Sequence, residues 1–432
     1  MERRLNIQRL RSIASMRGTV RELTPTASWF RGDRVLWIII AALAIVSVLV
    51  VYSSTAKMAY DDAAIKSTSH FLQQQLGLIV FGGIALFASA YLFSSQFFRG
   101  VAPWVFGLSL LMTLAVYFVG SSTNGAARWI SIFGFQFQPS EALKVSTIML
   151  LARELAARQL NIEKLRIVPS WRIWTWGERA QQRILREGFV PILLPMLIAC
   201  AVVVPAHTSS ALLLFGSSMV VLMMGRVRFV ELRKIVTLMV ALGAMFYVVG
   251  AGRSDTAGGR VSTWVDLLTS DRSEVAVEDL TDTERSMIAM HNGGLMGVGA
   301  GKSVMRVEMI HPESDYAFAF FVEEYGSLLA IAVMLLYLWI FFRAITIVER
   351  CGTIFPALLV LGLAMMITTQ ALLHIAVTIN LMPETGQTLP LISRGGSSLV
   401  FNAIAMGMIL SVSRQNEEHS HDMPRSQSIY EE

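Results

Sequence analysis

Residues 35–53 (VLWIIIAALAIVSVLVVYS) carry no charged side chain. At 1.5 Å of rise per residue, a helix of this length crosses a hydrocarbon layer roughly 30 Å thick. One such block would suit the core of a large soluble protein. Here comparable blocks recur near 72–93, 101–120, 141–156, 189–205, 209–225, 235–250, 316–342, 354–380 and 397–413. The sequence therefore predicts an all-α integral membrane protein with about ten transmembrane helices. Composition agrees: only 16% of residues are charged and mean hydropathy is +0.55, whereas a soluble domain carries roughly 25% charged residues.

Basic residues set the expected orientation. Residues 1–34 hold eight Arg against three acids, and 157–188 hold seven basic residues against three acids. Arg226, Arg228, Arg233 and Lys234 crowd another short connection. Counting spans puts all of these on one side, which the positive-inside rule makes cytoplasmic. The segment 251–315, with six basic and eleven acidic residues, then faces outward between the seventh and eighth spans, and both termini lie inside. This divides the chain into a basic cytoplasmic tail (1–34), a polytopic membrane domain (35–413) and a polar, disordered cytoplasmic tail (414–432). The net charge of +5 belongs to this topology and not to nucleic-acid binding. No cleavable signal peptide is evident, because a long Arg-rich stretch precedes a full-length first span.

Several functional classes find no support. Two cysteines, Cys200 and Cys351, exclude a disulfide framework. There is no metal-spaced His/Cys cluster; His419 and His421 read as solvated tail residues. The Gly299–Ser303 run (GAGKS) mimics a phosphate loop, but its spacing is wrong, no strand precedes it and the topology puts it outside the cell. Its glycines instead suit a tightly packed re-entrant or interfacial segment. No internal repeat supports an inverted-repeat transporter.

Polar residues at membrane depth are expensive and mark candidate sites. They gather in three outward segments. The first runs from Asn124 through Arg128 to Gln138, Pro139, Ser140, Glu141 and Lys144. Pro139 and Ser140 read as a helix start, with Ser140 able to cap it. Glu141 and Lys144 fall at i, i+3 on one face, as a structural clamp or as part of an anion site beside Arg128. The second runs from Gly293 through Lys302 to His311 and Asp315, where Asp315 opens an apolar run as a helix N-cap or as a reactive carboxylate. Glu323 and Glu324 follow two turns later, expected to be neutral, paired across helices or wet. The third, 381–398, is an irregular loop holding Arg394, with Ser397 as a cap for the last span.

Together these segments resemble the FtsW/RodA (SEDS) family of peptidoglycan glycosyltransferases, which includes SpoVE-like proteins. The matching features are the stretch 125–144 (GAARWI…QPSEALK), the glycine-rich run leading into Asp315-Tyr316-Ala317-Phe318 and Glu323-Glu324-Tyr325-Gly326, and the 389–398 loop (LPLISRGGSS). Phe71–Gln75 is a weaker echo. Departures fall at Val204–Thr208, where many members carry Pro-Asp-x-Gly-Thr, at His374 in place of an Asn, and at Arg394 in place of a Tyr.

The resemblance implies polymerisation of lipid II at the outer face of the bacterial inner membrane, with release of undecaprenyl diphosphate and inversion at the anomeric carbon. It implies Asp315 as the general base. Arg128, Lys144, Lys302 and Arg394 would hold the diphosphate, with Glu141 and Ser397 completing the substrate site. A divalent cation could share that task, although the sequence offers no ligand set for one. The implied partners are a class B penicillin-binding protein (a transpeptidase) and other divisome or elongasome membrane proteins. Extended polar tails favour the FtsW branch over RodA. Two rival readings are a lipid II flippase, for which Glu323 and Glu324 would line a polar path, and a scaffold for cell-wall synthases.

Overall fold

The computed structural model describes residues 31–54, 68–119, 121–123, 126–132, 135–164, 190–248, 254–269, 280–305, 308–309 and 314–422. These hold twelve α-helices: α1 (Arg34–Ser54), α2 (Thr68–Tyr91), α3 (Ser95–Val119), α4 (Pro139–Arg158), α5 (Val190–Val203), α6 (Thr208–Met224), α7 (Phe229–Val248), α8 (Ser254–Thr269), α9 (Asp282–Gly293), α10 (Ala317–Val348), α11 (Ile354–Thr378) and α12 (Gly396–Asp422). Each of the ten apolar blocks lies on one of them. By length and composition, α1, α2, α3, α10, α11 and α12 are able to cross a membrane. Helices α5 and α6 are apolar but shorter, and α4 and α7 carry several charges each.

Burial separates a centre from a rim. Of the apolar windows of α11 and α12, 78% and 83% is buried, against 28–33% for α1, α2, α3 and α10. Helix α4 is buried almost throughout its first three turns. Outward-facing Ile38, Ile84, Trp104, Leu111 and Phe118 are exposed, as a lipid-facing belt requires. Close approach inside comes from small residues: a Cβ at Gly407 on α12 would lie 2.5 Å from the Leu86 carbonyl on α2.

Local chemistry explains several boundaries. Asp33 begins α1 by accepting from the amides of Val35 (2.9 Å) and Leu36 (3.1 Å), and it also receives the Arg343 guanidinium from α10. Thr281 and Glu284 form a reciprocal capping box at the start of α9. Helix α10 breaks at Gly326, whose φ of 86° and ψ of 163° are not helical. The break frees the carbonyls of Glu323 and Glu324, which accept from Val298 (2.9 Å) and Gly299 (3.0 Å). The glycine-rich run thus packs against α10 two turns below its start. A side chain at Gly326 would sit 2.3 Å from the Leu295 carbonyl.

Three expectations need correction. The segment 251–315 is not simply a loop, since it contains α8 and α9. The stretch 121–137, read only as a polar motif, contains an antiparallel sheet in order β1-β2-β3 (Ser121–Thr123, Ala126–Ile132, Phe135–Phe137). Residues just after Arg414 are helical through Asp422, not disordered. Gln415 accepts from Ser95 (2.7 Å), Asn416 donates to the Ile347 carbonyl (2.9 Å) and Glu417 accepts from the Gly32 amide (3.1 Å). These polar contacts to three other elements hold a stretch that has little apolar surface to bury.

Candidate active site

Residues 379–395, between α11 and α12, are held from nearly every side. Ser47 on α1 donates to the Ile392 carbonyl (2.8 Å), and Tyr337 on α10 to that of Pro390. Gln370 on α11 donates to the Thr388 carbonyl (3.0 Å), and His374, one turn on, meets the Gln387 carbonyl through Nδ1 (2.7 Å). Ser393 donates to the Ser314 carbonyl (2.8 Å), tying the loop to the start of α10. From α8, Trp264 Nε1 donates to the Asn380 carbonyl (3.1 Å). Arg394 Nη2 donates to Gln74 Oε1 on α2 (2.9 Å).

The loop also gathers helix starts. Helix α12 begins directly after it, and α10 begins beside Ser314. The amide of Gln138, just before α4, donates to Ser397 Oγ (3.0 Å). Helix α6 begins at His207, which contacts Gln387. Four helix N-termini, each carrying partial positive charge, therefore gather at or beside this loop, a setting suited to an anion.

Asp315 sits in the turn before α10, half-buried. Its Oδ2 lies 3.7 Å from the point a Cβ on Gly386 would occupy, and His207 Nε2 lies 4.0 Å from the same point. His207 Nδ1 accepts from the Ser210 amide (3.1 Å), a group that can only donate. The network therefore assigns the ring proton to Nε2, so His207 presents an N–H toward the Asp315 side of the loop. Glu384 adds a second carboxyl. Burial raises its pKa above the usual carboxylate range; Arg260 opposes this, and the nearby Asp315 and Asp282 carboxylates add to it. Arg260 also donates to the Glu384 carbonyl (3.4 Å).

The expected site residues separate into groups. Lys144 Nζ lies 2.9 Å from Glu141 Oε1 and donates to Gln370 Oε1 (3.0 Å), with its side chain only 1% exposed. The pair exists, and its chain of contacts continues through Gln370 to the loop. The N-cap position of α10 is Tyr316, which makes no side-chain cap bond, and Asp315 directly precedes it. Ser140 does not cap α4 either, because the N-cap is Gln138 and Ser140 lies inside the first turn. Ser397 Oγ accepts from the Gln138 amide. Lys302 is exposed on the glycine-rich run. That run contacts α10 at Glu324, nine residues past Asp315, or about 13 Å along the axis. Arg128 lies in β2, and its side chain falls outside the described residues, as do Asn124, Gly125 and His311.

Glu323 and Glu324 have structural work. Glu323 accepts from Ser303 and from the amides of Val304 (3.1 Å) and Met305 (3.3 Å). Glu324 accepts from the Gly301 amide (2.9 Å) and from Ser53 on α1. Sequence reading missed Gln370 and Arg260 and gave Glu384 and Gln387 no role. A polar Gln370 in the middle of an apolar span was the signal available. The others are loop and outer-segment residues whose neighbours only the fold supplies.

A family model described as "Cell cycle protein", covering FtsW, RodA and SpoVE, matches residues 33–418. The chain belongs to the FtsW/RodA/SpoVE family. Among its relatives is the "Probable peptidoglycan glycosyltransferase FtsW" of Neisseria gonorrhoeae, 29% identical over 88% of this chain and 84% of that protein. Another is the "Stage V sporulation protein E" of Bacillus subtilis, 27% identical over 88% and 97%. Solved structures share the fold. A chain from a peptidoglycan synthase complex superposes with a TM-score of 0.64 at 22% identity, covering 90% of this chain and 99% of that one. The rod shape determining protein RodA of Thermus thermophilus gives 0.59 at 21% identity with the same coverage. Family membership and the apolar helices make this a multi-pass membrane protein, and FtsW is the family name that recurs among the relatives.

Proposed function

We propose that this protein is a peptidoglycan glycosyltransferase that polymerises lipid II into glycan strands, with residues 379–395 as the floor of its active site. The observation that carries this reading is the placement of Asp315: a half-buried carboxylate at the mouth of a membrane helix, beside Gly386 in a loop where four helix starts gather. In the reaction, the GlcNAc 4-hydroxyl oxygen bonds to the MurNAc anomeric carbon as the bond from that carbon to the diphosphate oxygen breaks. Asp315 accepts the hydroxyl proton as general base. The lipid diphosphate leaves with concentrated negative charge, which the helix N-termini, Arg394 and Arg128 stabilise. His207 donates its Nε2–H to the sugar or phosphate oxygens lying over Gly386. Glu141 and Lys144 act as positioning residues that fix the loop through Gln370, and Ser397 joins the start of α4 to that of α12. Lys302, on the glycine-rich run, meets the lipid-linked substrate away from Asp315. A divalent cation is compatible with this chemistry; among the described residues no group of three or more His, Cys, Asp or Glu is placed to hold one.

The deciding experiment incubates purified protein with labelled lipid II, alone and with candidate class B transpeptidases, and looks for polymer. Polymer in detergent supports the enzyme. Lipid II transport across vesicles without polymer under any condition would favour the flippase reading. That reading is weaker here, because Glu323 and Glu324 are occupied in holding the glycine-rich run.

The ten-span topology, with both termini in the cytoplasm of a bacterial cell and 251–315 outside, rests on loop charge. In a background with Cys200 and Cys351 replaced, a single Cys at Ser273 is expected to react with an impermeant maleimide in intact cells. One at Ser170 is expected not to react. The reverse pattern overturns the orientation and the outward site.

Glu384 yields a pH prediction. Burial raises its pKa, and the neighbouring Asp315 and Asp282 carboxylates add to this, because ionising neighbouring carboxyls together costs Coulomb energy. Its negative charge therefore appears only above the usual carboxylate range, beside Asp315 and the leaving diphosphate. Glu384→Gln removes that titration, so the change in polymerisation rate with pH just above the usual carboxylate range is expected to be lost in the variant. An unchanged pH profile would show that Glu384 does not couple to the reaction.

A further inference from the structure

At the other end of α4 from the candidate site, a cavity of about 660 Å³ opens between the start of α3 and the end of α4. Helix α4 runs twenty residues from Pro139 to Arg158, close to 30 Å of helix, so this cavity is no part of the loop described above. Its wall carries Gln96, Arg99, Arg153, Glu154, Arg158 and Asn161. The lining holds three arginines and one carboxylate. Arg158 pairs with Glu154 Oε2, and Arg153 Nε stands 3.9 Å from Glu154 Oε1. One acid shared by two cations leaves the lining with a net charge of about +2. Arg153 Nη1 is buried with no hydrogen-bond partner among the described residues. A buried guanidinium N–H without an acceptor is costly and rare; the rest of the Arg153 side chain, 34% exposed, lines the cavity.

The cavity continues into an apolar surface. Gly100, in its wall, has nothing within 4 Å of where a Cβ would stand. From Gly100, the same face of α3 carries Trp104, Leu108 and Leu111 at helical spacing, exposed by 80%, 61% and 66%. Phe97, one turn earlier, is 45% exposed. A soluble anion uses only the arginines. A molecule with a phosphate in the cavity and hydrocarbon chains along α3 uses both surfaces.

We propose that this cavity is a binding site for an anionic phospholipid, with the headgroup phosphodiester held by Arg99 and Arg153 and the acyl chains laid along α3. Forked guanidinium donors match phosphate oxygens, and basic pockets between membrane helices at the cytoplasmic surface are suited to such headgroups. The positive-inside reading of the loops puts the cavity on that surface, the opposite one from the chemistry.

The test measures retention of phosphatidylglycerol and phosphatidylcholine by the purified full-length protein, using native mass spectrometry from detergent. Wild type is expected to retain phosphatidylglycerol in preference to phosphatidylcholine. Arg99→Gln/Arg153→Gln is expected to weaken that retention by about tenfold or more, since each lost charge-assisted hydrogen bond contributes strongly. Arg99→Gln alone, at an exposed position, keeps the fold and shows a smaller loss in the same direction. Equal retention of the two lipids, or no change in either variant, overturns the proposal. If millimolar inorganic phosphate displaces phosphatidylglycerol completely, the site is one for soluble anions and the lipid assignment fails. None of these readouts depends on polymerisation, so they stand or fall separately from the proposed activity.

Discussion

Asp315→Asn protein is expected to fold, reach the membrane and bind lipid II, yet make glycan roughly 10²–10⁴-fold more slowly, the usual loss when a general base is removed. Asn keeps the shape and hydrogen bonding of Asp but cannot accept the hydroxyl proton. A capping role would predict near-normal behaviour, since Asn caps about as well as Asp. The N-cap position of α10 is Tyr316, one residue after Asp315, so the Asn variant separates the two roles directly. Polymer should be measured in detergent, where sidedness and gradients vanish and flipping is irrelevant. Wild-type rates from the Asn variant would sink the assignment of Asp315 as base.

Changing Lys144 alone is expected to damage the protein itself. Lys144→Met leaves Glu141, with its side chain 6% exposed, facing no ammonium. Stranding one member of a buried ion pair costs on the order of 3–5 kcal/mol. Abundance in the membrane and the thermal midpoint in detergent should both fall sharply. The double change Glu141→Lys with Lys144→Glu restores a pair in the same place and should restore abundance. It should not restore polymerisation. Gln370 now accepts from Lys144 while donating to Thr388; with a carboxylate at 144 its amide must turn, and the Thr388 carbonyl loses its donor. Full activity in the swapped protein would show that the loop does not depend on this chain of contacts.

The two experiments concern different features of one loop, and they show why the site was only half legible beforehand. Glu141 and Lys144 could be paired from spacing, because i, i+3 neighbours on a helix touch whatever surrounds them. Asp315 could be placed at a helix mouth from the apolar run that follows it. Nothing local could tell that Lys144 reaches Gln370, 226 positions away, or that Gln370 in turn holds the backbone at Thr388. The choice between clamp and substrate contact for Lys144 therefore had no answer in the sequence. Its burial supports the positioning role.

His207 is a sharper case. Its neighbours in sequence explain its hydrogen bond to the Ser210 amide, because an N-cap acceptor three residues before a free amide is a local arrangement. Its relation to Asp315 is not local, since the two residues approach through Gly386, which belongs to neither segment. Glu384 and Arg260 are of the same kind: two unremarkable charges in loop and outer-helix positions that become neighbours only when α8 docks on residues 379–395.

What the sequence by itself determined is what hydrophobicity and helical period dictate. Runs of uncharged residues long enough to cross a bilayer had to become helices, since backbone amides in hydrocarbon must be satisfied internally. The positions of those helices, the i, i+3 pair and the family's motifs followed residue by residue. Tertiary structure decided which helix starts face one another, which carboxylates share a pocket, and which polar groups serve the scaffold. Those outcomes depend on packing between segments far apart in the chain, where side-chain shape and close backbone approach at residues such as Gly326 and Gly407 select one arrangement of the helices from many that the same apolar pattern allows.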